Sequence, residues 1–177
     1  MPTDRILPAL DDTDGEQIAR IRRELAGWRV TCGMRQKDIT AKAGLSDVVV
    51  SAFERGEPGP IRLANICKYA SVFGLAVHVA LEGFDVLPST PELESLNVLV
   101  DADPFNALWL ETLVVKYLRT IRKDLGIPLH VMAQKLGMRS DSLSAWEIDG
   151  SDPHLYRMMA YATQLGGRLT LRLVLVP

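Results

Sequence analysis

Short polar side chains recur at the starts of two predicted helices, where their hydrogen-bonding groups would be exposed. The first stretch, KDITAKAGLSDVVVSAFERG, covers residues 37–56, and the second, HVMAQKLGMRSDSLSAWEIDG, covers residues 130–150. Hydroxyl, carboxylate and guanidinium groups in such positions can bind a polar surface through hydrogen bonds. The chain has no G-x-S-x-G motif, no glycine-rich phosphate loop and no paired catalytic carboxylates. The pattern predicts a binding protein and not an enzyme.

No metal or cofactor is expected. His78 and His154 have no carboxylate or cysteine neighbours at ligand spacing, and Asp11, Asp12 and Asp14 form a run of charges without the pattern of a metal loop. Catalytic residues, metal ligands and cofactors are therefore all predicted to be absent.

The spacing of apolar residues places each stretch inside a series of helices. Ile18, Ile21 and Leu25 recur at helical intervals after Asp14 and Gln17, whose spacing is that of a capping box. A second helix ends at a glycine that permits a tight turn, a serine caps the third, and a fourth follows. The sequence LAVHVALE then alternates with the period of a half-buried strand.

The second half of the chain repeats this order. At an offset of 93, eight residues recur unchanged, namely Leu25, Arg29, Gly33, Lys42, Gly44, Ser51, Ala52 and Glu54 with Leu118, Arg122, Gly126, Lys135, Gly137, Ser144, Ala145 and Glu147. A second strand, RLTLRLVLV, closes the repeat. We therefore divide the chain into an acidic tail (1–14), a first unit (15–84), an acidic linker (85–102) and a second unit (103–177).

The charge is distributed unevenly along the chain. The net charge of −2 conceals ten basic and seven acidic residues in 16–84, and nine basic and six acidic residues in 111–177. Each unit is thus mildly basic, which suits a partner that carries negative charge. No apolar run is long enough for a membrane span. Cys32 and Cys67 lie in apolar helical patterns and are predicted to be buried thiols, which favours a cytoplasmic protein.

These motifs resemble the lambda-repressor and Cro-like (XRE-type) helix-turn-helix family. The pattern Q-x-x-[LI]-x-x-x-[AL]-G-[LV]-S, followed by a short helix ending in E-R-G, is matched in the first unit by Gln36, Ile39, Ala43, Gly44, Leu45, Ser46, Val50, Phe53, Glu54, Arg55 and Gly56. The second unit departs from it at Leu129, Arg139 and Gly150. The resemblance implies a mainly α fold of two tandem helix-turn-helix domains, each ending in a strand. It also implies ion pairs that join the first helix of each unit to the third, Arg29 with Glu54 and Arg122 with Glu147.

The resemblance implies that the N-terminal face of each third helix reads bases in a major groove. The residues on those faces are Ser46, Asp47, Val48 and Ala52 in the first unit, and Arg139, Ser140, Asp141, Ser142 and Ala145 in the second. A carboxylate such as that of Asp47 can accept from a cytosine amine, and Arg139 can make a two-pronged contact with guanine. Phosphate contacts are assigned to Arg35, Gln36, Lys37, Lys42 and Arg55, with His130 and Lys135 as their counterparts.

The two strands suggest how the units are joined. An unpaired apolar strand edge invites aggregation, and antiparallel pairing of residues 76–82 with residues 168–176 would remove it. We expect a monomeric pseudo-dimer whose diverged faces read an asymmetric site.

The expected function is that of a sequence-specific repressor which binds double-stranded DNA in a bacterial cytoplasm and does not bind membranes. Tandem proteins of this size resemble actinobacteriophage immunity repressors. Two alternatives remain open at this point. One is an antitoxin-like repressor that also binds a toxin, and the other is a protein-interaction module that kept the fold and no longer binds DNA.

Overall fold

The computed structural model describes residues 14–57, 61–85, 97–100, 104–150 and 154–176, and in these ranges the protein is mainly helical. The helices are α1 (Asp14–Thr31), α2 (Gln36–Ala43), α3 (Asp47–Arg55), α4 (Leu63–Ser71), α5 (Pro104–Asp124), α6 (Leu129–Lys135), α7 (Ser140–Asp149) and α8 (Leu155–Gln164). The strands are β1 (Leu75–Glu82), β2 (Asn97–Val100) and β3 (Arg168–Leu175). Four helices precede a strand in each half of the chain, as the repeat predicts. Of the acidic tail predicted over residues 1–14, residues 1–13 lie outside the described residues and Asp14 begins α1.

One antiparallel sheet joins the two halves. The strand order is β2-β1-β3, and β1 pairs with β3 from Leu75↔Leu175 to Glu82↔Arg168. The predicted antiparallel pairing of these strands is confirmed. A third strand was not predicted, because β2 lies in the range assigned to the linker. Its sequence, NVLV, consists largely of strand-forming residues and pairs with the other edge of β1.

The outer edge of β3 is occupied by a side chain from α1. Gln17 is buried, and its Nε2 donates to the carbonyl of Leu169 at 3.0 Å while its Oε1 accepts from the N–H of Leu171 at 2.7 Å. The predicted role of Gln17 in a capping box is therefore wrong. Its amide instead pairs with strand backbone groups that would otherwise be buried without partners.

The two halves share one apolar core. The buried residues of α1, α4 and β1 form a single cluster with those of α5, α8 and β3. Polar contacts also cross between the halves. The N–H of Ala64, at the start of α4, donates to the carboxylate of Glu111 on α5 at 3.3 Å, and the N–H of Leu155 donates to the carbonyl of Ile61 at 2.9 Å. Because Glu111 is only 1% exposed, burial raises the pKa of its carboxyl group.

Two side chains near the end of α1 differ from the sequence-based expectation. Cys32 is exposed and only Cys67 is buried, because α1 ends at Thr31 and Cys32 lies in the following turn. Trp28 is 38% exposed and stacks against Phe73 with ring centroids 6.3 Å apart. The helical intervals of Ile18, Ile21 and Leu25 continue to Trp28 and predict that Trp28 lies on the core face, but such intervals do not show how far the packing extends along that side of the helix.

Candidate nucleic-acid interface

The first candidate surface begins at the turn between α2 and α3. Gly44 ends α2 in the left-handed conformation with φ +63°, which a residue with a side chain rarely adopts. Ser46 then caps α3, because its Oγ accepts from the N–H of Val49 at 3.3 Å. The turn and the cap together determine the direction in which α3 leaves the helix pair.

The first turn of α3 is exposed on the side that was predicted to read bases. Val50 is fully buried and anchors the opposite side of the helix. As a result Ser46, Asp47 and Val48 are exposed, and Ala52 is partly buried one turn further along. Val48 is 75% exposed, which is unusual for a valine and indicates a surface that is not wholly polar.

The second candidate surface is at the start of α7. Gly137 adopts φ +61° in the turn after α6, matching the conformation of Gly44. Arg139 occupies the cap position but forms no side-chain capping hydrogen bond, consistent with its replacement of the usual serine. Leu143 and Trp146 face the core. The two turns thus have the same backbone conformation and different polar chemistry.

The exposed face of α7 carries the only arginine among the nine predicted base-reading residues. The side chains of Arg139 and Asp141 are 83% and 78% exposed, and Arg139 Nη2 lies 3.0 Å from Asp141 Oδ2. An ion pair as exposed as this one contributes at most about 1 kcal/mol to stability. The guanidinium of Arg139 can therefore exchange Asp141 for another partner. Ser142 and Ala145 are exposed beside them, and Ser140 is partly buried.

Each exposed helix is joined to the long helix of its own half by a predicted ion pair, and both pairs are present. Arg29 donates through Nε and Nη2 to the two oxygens of Glu54 at 2.7 and 2.8 Å. Arg122 donates to Glu147 in the same way at 2.8 and 2.7 Å. The second pair is the more deeply buried, with side-chain exposures of 8% and 3% against 17% and 8%. Such two-pronged pairs fix orientation as well as distance.

A tyrosine that was not predicted to take part completes each ion pair. The hydroxyl of Tyr69 donates to Glu54, and the hydroxyl of Tyr161 donates to Glu147. The two tyrosines are 92 positions apart, one fewer than the offset of 93 that relates the earlier helices of the two units, and this recurrence was a usable signal. Their place on the buried face of a helix indicated only core packing, since the acceptor of the hydroxyl comes from a different helix.

Hydrogen bonding determines the charge state of the first network. Burial acts to raise the pKa of Glu54, but hydrogen bonds from Arg29, Gln36 and Tyr69 outweigh it and lower that pKa below its ordinary value. Burial and the bond to Glu54 raise the pKa of Tyr69. Glu54 is therefore an acceptor and Tyr69 a donor at neutral pH.

The residues assigned to phosphate contacts divide into two groups. Lys37, Lys42, His130 and Lys135 are exposed and form no salt bridge within the described parts of the chain. The others already have polar partners.

Arg35 Nε lies 3.6 Å from Asp38, and Arg55 bonds to both Ser51 and Glu57. Gln36 is the clearest departure from its assignment, because its Nε2 donates to Glu54 at 2.9 Å. Its amide is thus already engaged in the ion-pair network.

An apolar cavity of about 190 Å³ lies between α3 and α4. Nearly all of its lining is aliphatic or aromatic, and it includes Val48 and Ala52 together with Phe53, Ile61 and Ile66. The sequence does not indicate this cavity, because a gap between two helices depends on how they pack and not only on which residues they contain.

Within the described ranges no group of three or more histidine, cysteine, aspartate or glutamate residues is arranged to hold a metal ion. No helix in those ranges combines the length and apolar character needed to cross a bilayer. In comparisons with protein-family models, curated proteins and solved structures, nothing matches this chain.

Proposed function

We propose that the protein is a sequence-specific double-stranded DNA-binding repressor that uses two tandem lambda-repressor-like helix-turn-helix domains. The observation that carries this proposal is the paired occurrence of a short helix whose first turn is exposed and whose opposite side is buried. α3 and α7 both have this form, and each follows a left-handed glycine turn. A major groove accepts one helix presented in this way.

The ion-pair networks support the proposal because they hold each helix rigidly relative to the rest of its domain. Base readout requires donors and acceptors placed to within a fraction of an ångström, and a helix that rocked on an apolar core would not provide this. Arg29 and Arg122 are committed to these networks and are not DNA ligands in the proposal.

The two helices would make different contacts with the bases. α7 offers Arg139, whose guanidinium can bond to both acceptors of guanine, while α3 offers the acceptor of Asp47 and the apolar surface of Val48. Lys37, Lys42 and Lys135 would bind phosphates. We therefore expect an asymmetric operator bound by one chain, since the pairing of β1 with β3 joins the two halves in a single molecule. A phage immunity repressor acting in the bacterial cytoplasm is the most specific form of this proposal.

A protein-interaction module is the second candidate function. It is favoured by the exposed Val48 beside the apolar cavity, because a face specialised for DNA seldom carries so large an apolar surface. The antitoxin-like alternative would use the same surface for a toxin while retaining DNA binding.

Selection of bound sites from random duplex DNA tests the proposal directly. The selected site should be non-palindromic and should bind one chain per duplex. Arg139→Ala should then lose about 1–3 kcal/mol at one base pair, and Lys37→Ala should weaken all sequences alike and lower the salt slope by about 1. Lys123→Ala is the control, because it removes an exposed charge in the last turn of α5 that is not among the residues assigned to DNA contacts. Failure to enrich any sequence would favour the interaction module.

A further inference from the structure

The cavity between α3 and α4 is lined by apolar side chains that the fold does not require there. Val48 and Val49 of α3 both line it, and Val48 is 75% exposed. Their counterparts in the second unit, at the offset of 93, are Asp141 and Ser142, which are polar and exposed. The second unit thus builds the same turn and helix without valines at these positions. A contiguous apolar surface that is left exposed commonly marks a binding site.

An aromatic residue in the cavity wall also differs between the two units. The ring of Phe53 meets that of Tyr69 at a steep angle, with centroids 6.0 Å apart. The counterpart in the second unit is the larger Trp146, which lies against Tyr161 at 5.8 Å and is only 4% exposed. The first unit therefore has a smaller ring at this position, beside a cavity of about 190 Å³.

One polar group in the lining is available to a bound molecule. The side-chain amide of Asn65, on α4, is partly buried and forms no hydrogen bond within the described parts of the chain. The other two polar side chains of the lining are engaged, because the hydroxyl of Tyr69 donates to Glu54 and the carboxylate of Glu57 accepts from Arg55. A carboxamide can both donate to and accept from a ligand.

We propose that this cavity binds a small neutral molecule that has an aromatic or branched aliphatic body and one hydroxyl or carbonyl group, which Asn65 binds. The size follows from the volume, because apolar cavities of about 150 Å³ stay dry and bind molecules such as benzene. The absence of charge follows from the lining. Its carboxylate, Glu57, is already paired, so a charged ligand would lose its hydration without gaining a counter-ion.

The ligand would also act on DNA binding, and this part of the inference rests on the proposed function. Val48 and Ala52 belong both to the cavity lining and to the face of α3 assigned to base reading. A molecule bound against them covers apolar surface that a thymine methyl group would otherwise contact. The ligand would therefore lower the affinity for the operator and act as an inducer.

Benzyl alcohol is a suitable probe, because it is neutral and combines one aromatic ring with one hydroxyl group. Titration of the intact chain, followed by protein NMR, should show saturable binding with a Kd of about 1 mM or tighter, which is within reach of a ligand of about eight non-hydrogen atoms. Benzoate, which has the same ring and a negative charge, should bind at least about tenfold more weakly. Equal binding of the two would show that the site does not select neutral molecules.

Two substitutions locate the binding. Phe53→Trp introduces the residue that the second unit carries at this position, so it should fold like the parent and fill part of the cavity. Asn65→Leu removes the amide and keeps a side chain of similar size. Phe53→Trp should weaken the binding of benzyl alcohol at least about tenfold, and Asn65→Leu about fivefold. Gln134→Leu, a similar change at an exposed position of α6, is the control and should leave the Kd unchanged. Binding that never saturates, or that survives both Phe53→Trp and Asn65→Leu, would overturn the proposed site.

DNA binding provides the last measurement. Benzyl alcohol at about ten times its Kd should lower the affinity of the parent for the selected site about tenfold, and should have little effect on Phe53→Trp. If benzyl alcohol binds but the parent binds no DNA, the ligand site stands and the proposed function fails. If DNA binds and no saturable binding of benzyl alcohol is found, the ligand site alone is overturned. If both bind and the affinity for DNA does not fall, the competition for α3 is refuted.

Discussion

Replacing Glu147 with alanine should destabilise the protein more than the equivalent change at Glu54. Glu147 is 3% exposed and accepts hydrogen bonds from Arg122 and Tyr161, both of which are buried. Its removal leaves a guanidinium and a hydroxyl in the core without their acceptor. Breaking a buried pair in this way costs about 3–5 kcal/mol.

The matched change, Glu54→Ala, should cost roughly 2–3 kcal/mol, because Arg29 is more exposed and water can replace part of the lost bonding. Urea titrations give the two free energies of unfolding. In a thermal melt the Glu147→Ala protein should unfold roughly 10 °C below the parent, given the usual 2–4 °C per kcal/mol for chains of this size.

A triple variant distinguishes two contributions to the free energy of unfolding: the cost of leaving a buried charge unpaired, and the net stabilisation that the intact network provides. Arg122→Met, Glu147→Leu and Tyr161→Phe together remove the three buried polar members of the network and replace them with apolar groups of similar size. This protein should be more stable than Glu147→Ala, because no buried charge is left unpaired: the remaining Arg119, which lies 3.8 Å from Glu147, is 35% exposed and can be solvated. If the triple variant is the less stable of the two, or if Glu147→Ala unfolds like Glu54→Ala, the reasoning from burial is wrong.

Three further predictions, made on four substitutions, test the contacts and turns that hold the fold together. Because the pKa of Glu54 is lowered on folding, its contribution to stability is complete above the unfolded value of about 4.3 and is lost as pH falls through the folded pKa. Glu54→Gln should therefore reduce the fall in the free energy of unfolding at acid pH. If urea titrations from pH 6 to 2.5 show the same fall as in the parent protein, this prediction is wrong. Gln17→Leu should cost about 1–3 kcal/mol in urea titrations, since two strand backbone groups lose their partner. Gly44→Ala and Gly137→Ala should each cost about 1–2 kcal/mol in thermal melts, and equally, because both have positive φ and open space around the α-carbon. Unequal costs would show that the two turns differ.

The features that sequence predicted are those with a local or repeated signal. The turns at Gly44 and Gly137 follow from glycine in a fixed position between two helical patterns. The pairing of Arg29 with Glu54 was implied by the resemblance to the helix-turn-helix family, and the repeat carries the same separation at Arg122 and Glu147. The antiparallel pairing of β1 with β3 followed from two alternating apolar runs that each needed a partner.

The features that sequence missed depend on contacts between distant parts of the chain. Gln17 has the local spacing of a capping residue, and only the position of β3 shows where its amide bonds. The linker contains β2 because a neighbouring strand edge is available, a fact that its own composition does not reveal. The cavity beside Val48 likewise reflects imperfect packing between α3 and α4.

The central position of β1 has a consequence for how the protein is made. Val77 pairs with Leu173, which the ribosome adds 96 residues later, and Gln17 bonds to a residue 152 positions away. At about 5–20 residues per second, β1 waits roughly 5–20 s for the partner on one of its edges. For most of that interval the nascent chain can pair β1 only with β2, so one apolar strand edge stays open, and we expect the chain to depend on chaperones and to acquire full protease resistance only after β3 has been synthesised.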